Sequence, residues 1–198
     1  MAAAVVIGVE AVVPRVARAQ LELGPRLGIY VPSGFFVNES PTNQSRGVGA
    51  PLIGGQALVR VTRWLNVEAA VGLSPSMVAV SDSSGTNDHT STVVLASTRA
   101  LVPITSRRGL WSFFLGAGVG IVARMGGVWT YSSGTTRQTW VVLFGGRTEL
   151  APNLAMRFEL ESNFSTEQFD RGLPTQTQPQ KHQDFVFAVA IDLPLHHR

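Results

Sequence analysis

The sequence predicts an all-β fold, an eight-stranded antiparallel up-and-down transmembrane β-barrel. Three observations lead there. Apolar residues recur with a period of two over segments of about ten residues. The segments are joined by connections that alternate between long and short. Charged residues make up only 15% of the 198 residues, against about 25% in soluble domains.

The strands are expected at about residues 20–31, 50–62, 66–76, 91–102, 111–122, 139–150, 155–164 and 183–194. The first sets Leu21, Leu23, Leu27 and Ile29 against Glu22, Arg26 and Tyr30. In the second, Gln56 and Arg60 share a face, and in the fourth Arg99 stands on one face. The third sets Val67, Ala69, Val71 and Leu73 against Glu68. The fifth sets Trp111, Phe113, Leu115, Val119 and Ile121 against Ser112, Gly116, Gly118 and Gly120. The sixth puts Trp140, Val142 and Phe144 opposite Arg147 and Glu149, and the seventh puts Met156, Phe158 and Leu160 opposite Arg157, Glu159 and Glu161. The eighth alternates most regularly, with Phe185, Phe187, Val189, Ile191 and Leu193 on one face and Asp184, Val186, Ala188, Ala190 and Asp192 on the other.

Connections after strands one, three, five and seven are expected to be long external loops, including mobile stretches at Ser81–Thr92 and Ser132–Thr139. Those after strands two, four and six are short or moderate: Arg63-Trp64-Leu65, Pro103–Leu110 and Ala151-Pro152-Asn153-Leu154. Residues 1–19 are expected to be an export signal, because Ala2–Val13 is apolar apart from Glu10 and Ala17-Arg18-Ala19 precedes Gln20. Residues 20–198 then form the barrel domain. No run of about 18 apolar residues is present, so a membrane helix is excluded.

Two arrangements of the faces compete. In a soluble, lipocalin-like periplasmic binder the apolar face would point inward. In a membrane barrel it points to lipid, and the charges line the lumen. The second arrangement suits the near-equal numbers of guanidinium and carboxylate groups on the polar face, because opposite charges can pair in a narrow bore. The expected luminal network is Glu22, Arg26, Arg60, Glu68, Arg99, Arg147, Glu149, Arg157, Glu159 and Glu161. The long Arg and Glu side chains are expected to use the room left by Gly116, Gly118 and Gly120. Trp64 and Trp111, near the short turns, and Tyr30, Trp140, Phe164 and Phe185, near the long loops, are the expected interfacial aromatics.

Other chemistries find little support. There is no Cys, which excludes disulfides and thiolate metal sites. Lys181 is the sole lysine, and no basic run interleaves with aromatics, so a nucleic-acid partner is not expected. Gly116-Ala117-Gly118-Val119-Gly120 lacks the dinucleotide spacing and a following helix. Glu161, His182 and Asp184 could converge at the external mouth, where a rim charge cluster is the plainer reading. His89 with Asp82 and Asp88 reads as a solvated loop, and His196-His197 has no third metal ligand. No catalytic residue, metal or cofactor is expected.

Segments such as Leu23-Gly24-Pro25-Arg26-Leu27-Gly28-Ile29-Tyr30, and the hairpin running from Gly54 through Arg63-Trp64-Leu65 to Gly72, resemble the small outer-membrane barrels: OmpA transmembrane domains, OmpX and OmpW. The resemblance covers residues 20–198 and rests on texture. It implies a monomer in outer-membrane lipid, with an unidentified ligand or surface partner at the external loops. A structural or surface-interaction role with a plugged, charged lumen follows. An OmpW-like conduit for small apolar molecules, opening laterally into the membrane, is the alternative. Members of this group commonly end on an aromatic residue, whereas this chain ends Leu193-Pro194-Leu195-His196-His197-Arg198. Deacylases of the PagL type place His two residues before a strand Ser. Here Leu160 precedes Ser162, so that role is not carried over.

Overall fold

The computed structural model describes residues 21–33, 35–40, 43–82, 85–104, 111–126, 136–151, 153–167 and 180–195. The expected signal segment and the His196-His197 pair lie outside the described residues. Among the described residues there are ten strands: β1 (Leu21–Ser33), β2 (Phe35–Ser40), β3 (Asn43–Val48), β4 (Ala50–Arg60), β5 (Asn66–Asp82), β6 (Gly85–Pro103), β7 (Trp111–Met125), β8 (Thr136–Ala151), β9 (Leu154–Glu167) and β10 (Gln180–Leu195). Eight of them close a ring in the order β1-β4-β5-β6-β7-β8-β9-β10, with β10 pairing back onto β1. All neighbours are antiparallel. The chain is therefore an eight-stranded up-and-down barrel, closed by the pairing of its last strand with its first.

The ring is strongly staggered. Glu22 faces Leu58, which faces Glu68, and the row continues through Arg99, Gly118, Val141, Asn163 and Asp184 to Pro32. One circuit thus returns to β1 ten residues further on. Such a shear tilts the strands by about 35–45° and sets a bore that side chains can fill.

Strand ends depart from the expected positions mainly away from the short turns. The loop expected after the third strand is largely strand. β5 and β6 pair without a break up to Asp82 opposite Gly85, so most of Ser81–Thr92 is hairpin. Polar Ser, Thr and Asn residues read as loop, yet beyond a bilayer a strand needs no apolar face. The connection after β1 likewise contains the β2–β3 hairpin, and β3 extends the wall by pairing with β5. β8 starts at Thr136, and residues 132–135 lie outside the described ones.

The wall has one long interruption. β3 pairs with β5 as far as Val48 opposite Met77, and β4 resumes the ladder at Ile53 opposite Leu73. Carried on from Ile53–Leu73, the register sets Pro51 opposite Pro75. Neither proline has an N–H to donate. The Ser76 hydroxyl reaches across the break, donating to the Val48 carbonyl at 2.8 Å. A shorter interruption lies at Gly24-Pro25, between Leu23–Leu193 and Arg26–Ala190 on the β1–β10 seam.

Alternation sorts the side chains into two environments. Leu27, Ile29, Ile53, Val71, Leu115, Val119, Ile121, Val142, Phe144, Leu160 and Phe187 stand exposed on the outer surface. Glu22, Arg26, Glu68, Arg99, Arg157, Glu159, Glu161 and Asp192 are buried inside. A soluble barrel would carry the reverse, since so large an apolar surface facing water is rare in monomers.

Candidate functional site

The lumen is built in layers from inward-pointing residues of all eight ring strands. At the short-turn end, Arg60 reaches Glu22 at 3.1 Å, and Arg147 reaches Glu22 at 2.5 Å and Asp192 at 3.3 Å. The Gln56 amide donates to Asp192 at 2.8 Å. Above this lies the densest part. Arg26 meets Glu161 at 2.6 Å and Glu159 at 3.2 Å, and Arg99 meets Glu161 at 2.5 Å and Glu159 at 3.5 Å. Glu68 is held between Arg99 and Arg157, and Arg157 also pairs with Glu159. The Asn163 amide donates to the other oxygen of Glu161 at 2.8 Å.

Arg26, Arg60, Arg99, Arg147 and Arg157 oppose Glu22, Glu68, Glu159, Glu161 and Asp192, so the formal charges cancel. Each carboxylate is shared by at least two guanidinium groups. Arginine suits this, because its planar fork holds two acceptors at once and it stays charged when buried. The Arg157 guanidinium also lies over the Phe114 ring, 4.7 Å from its centroid, inside an apolar cluster of Leu58, Leu101, Phe114 and Leu143.

A second apolar layer follows toward the opposite end, where Tyr30, Leu52, Val93, Leu95, Val122, Val186 and Ala188 pack together. The wall break at Pro51 and Pro75 borders this layer, since Leu52 belongs to both. The Ser74 hydroxyl beside the break is buried without a hydrogen-bond partner. Beyond the layer sits another polar group: Arg124 donates to Asp184 at 2.6 Å and lies 3.5 Å from the Tyr30 hydroxyl, and His182 stands 2.9 Å from Asp184.

Nine of the ten residues expected in the luminal network lie among these ion pairs. Glu149 does not. It is exposed at the short-turn end, next to the register shift between Glu149 and Ala151. The expected convergence of Glu161 with His182 and Asp184 is divided, because Glu161 turns to Arg26 and Arg99 while His182 turns to Asp184. Asp192 and Arg124 were not expected in ion pairs, and Asp184 was expected only in a rim cluster with Glu161 and His182. Asp184 and Asp192 share the polar parity of β10, and Arg124 shares that of β7, which runs past the expected strand end at 122.

Among the expected interfacial aromatics, Trp64, Trp111, Trp140 and Phe164 are exposed, Trp140 at 71%, and Phe185 is half-buried. Tyr30 is a correction. It is 1% exposed on the inner face, because it shares the even parity of Glu22 and Arg26. The room at the glycines is also used differently from the expectation. A Cβ on Gly116 would come within 2.5 Å of Leu101 and 2.9 Å of Leu143, while at Gly118 and Gly120 it would meet the backbone carbonyls of Thr98 and Ala96. Leucines and neighbouring strands, not charged side chains, fill that space. Gly116→Val is accordingly expected to destabilise the barrel by about 1–3 kcal/mol through overpacking, measured as a lower urea midpoint in detergent micelles.

A hollow of about 870 Å³ crosses β4 to β8 and is lined by small or outward residues such as Gly55, Ala57, Ala69, Ala96, Ile121 and Trp140. None of the luminal ion-pair residues borders it, so it belongs to the outer surface. The Ser162 hydroxyl accepts a hydrogen bond from the Gln183 amide at 2.8 Å. Asp88 and His89 are exposed on the β5–β6 hairpin.

No family model matches the chain, and no curated protein matches it. Solved structures do. OprG from Pseudomonas aeruginosa aligns with a TM-score of 0.64 at 7% identity, covering 90% of this chain and 97% of that one. Neisserial surface protein A aligns at 0.59 with 10% identity, covering 88% and 97%. Outer membrane protein W of E. coli aligns at 0.55 with 14% identity, again covering 88% and 97%. At these identities the likeness is one of fold: the chain has the fold of the small outer-membrane β-barrels.

Proposed function

We propose, from that fold, that the chain resides in the bacterial outer membrane as a monomeric, non-enzymatic barrel whose lumen is closed to ions. Its role is structural or one of surface interaction, with lipid around its apolar belt and its contact surface at the long-connection end. The neutral cross-lumen network of five guanidinium and five carboxylate groups carries the reading. Ions crossing it would have to break several buried, mutually shared pairs at once, and each orphaned charge is costly in that setting. The test joins two measurements. Expressed protein should fractionate with the outer membrane and migrate faster unheated than boiled. Reconstituted in planar bilayers, it should give no single-channel conductance in molar salt. Steady ohmic channels would overturn the closed-lumen reading, and a detergent-independent soluble form would overturn the membrane reading.

A second reading, a lateral conduit for small apolar molecules, is favoured by one observation. The ladder is broken at Pro51 and Pro75 beside the apolar layer of Tyr30, Leu52 and Val93. A wall whose ladder is interrupted at that level separates more cheaply than a continuously paired one. An apolar solute could leave there into lipid without meeting the ionic network.

A further inference from the structure

The upper polar group has a place in the ring that the lower network does not share. Arg124 lies on β7, and β7 is the fourth strand from β1 in either direction around the ring. Its partners, Tyr30 on β1 and Asp184 on β10, flank the seam directly across the bore. The guanidinium therefore spans the lumen. His182 on β10 stands 2.9 Å from the second oxygen of Asp184. All four side chains are at most 5% exposed, although they lie toward the open end of the strands. Directly beneath them is the apolar layer, with Tyr30 a member of both.

The apolar layer thus has two boundaries through which a solute could come: the mouth, crossed by this pair, and the wall break, which faces lipid. We propose that the Arg124–Asp184 pair is a crossbar closing the mouth of the upper lumen, and that it sets the rate at which apolar solutes enter toward the wall break. The chemistry supports that role. An apolar molecule offers the pair no hydrogen bond, so it passes only when the bar swings aside, and swinging aside breaks a buried 2.6 Å ion pair. Tyr30 and His182 position the two ends of the bar. This inference rests on the conduit reading.

The test uses whole cells expressing the full chain and the apolar fluorescent probe N-phenyl-1-naphthylamine, whose uptake across the outer membrane is followed by fluorescence. Asp184→Asn and Arg124→Met are each expected to raise uptake severalfold over wild type, with planar-bilayer conductance unchanged because the lower network is intact. The exchange R124D/D184R, which restores an opposite pair, is expected to bring uptake back toward wild type. Gel mobility before and after heating verifies that each variant is folded. If one variant fails to fold, the other carries the measurement. Wild-type uptake above that of cells lacking the chain, with no increase in either variant, would overturn the crossbar and leave the conduit standing. Uptake at the level of cells lacking the chain in wild type and variants alike would overturn both.

Discussion

Arg99→Met is expected to destabilise the barrel by about 3–5 kcal/mol, because it leaves buried carboxylates without their partner. Arg99 is fully enclosed and serves Glu68, Glu159 and Glu161 together. Arg157 and Arg26 remain, but Arg26 is already committed to Glu159 and Glu161, and Arg157 to Glu159, Glu68 and Asp192. Replacing a carboxylate as well does not repair the loss cleanly, since removing Glu68 also takes a partner from Arg157. Arg60→Met is the control. Its side chain is 28% exposed and it serves only Glu22 among the ion pairs described, so water can take over much of its role and the expected loss is far smaller. Urea unfolding from lipid vesicles, followed by gel mobility and tryptophan fluorescence, separates the two. Equal losses in both variants would mean that the network is solvated and does not close the bore.

Val142→Arg is expected to cost about 2–4 kcal/mol, the price of a guanidinium near the bilayer midplane. Val142 lies near the middle of β8 and is 51% exposed on the outer face. In a soluble barrel an exposed valine replaced by arginine would change stability by about 0.5 kcal/mol or less. One substitution therefore distinguishes lipid from water outside the wall. The same substitution at Trp64, beside the short turn, should cost much less, since the depth dependence brings the penalty toward about 0–1 kcal/mol near an interface. A flat profile between the two sites would contradict a membrane belt.

Much of this architecture can be read from alternation alone, and the exceptions have physical causes. The strand count in the ring, the faces of β1, β7, β8, β9 and β10, and most of the luminal charges follow from parity, because a lipid-facing strand keeps charged residues off alternate positions. Asp192 and Asp184 were visible on the polar face of the last strand, but composition does not say which arginine will reach them. Arg124 comes to Asp184 from across the bore, and Arg147 and Arg157 come to Asp192 from β8 and β9, set by a stagger that no single strand encodes. Arg124 was missed because polar residues near strand ends look like loop. The same polar bias hid the far end of β6 at residues 85–90, whereas the unexpected end of β5 begins with the apolar Met77-Val78-Ala79-Val80. Tyr30 was misplaced because ring chemistry suggested an interface while its parity pointed inward, and parity prevailed. The wall break needed the register of two strands at once: Pro51 and Pro75 are ordinary edge-breaking signals separately, and only their opposition opens the ladder.

The ten-residue displacement around the ring makes the molecule behave like a threaded sleeve, in which pitch and calibre cannot be changed separately. Excising a two-residue step from one strand pair would reset the thread from ten to about eight and draw the sleeve narrower. No outward residue would change face, because a two-residue step keeps parity. The five arginines and five acids would nevertheless lose the width they need to interleave. Loops at the rim can thus vary freely in length, while the paired stretches below them are locked to one another in steps of two by what they enclose.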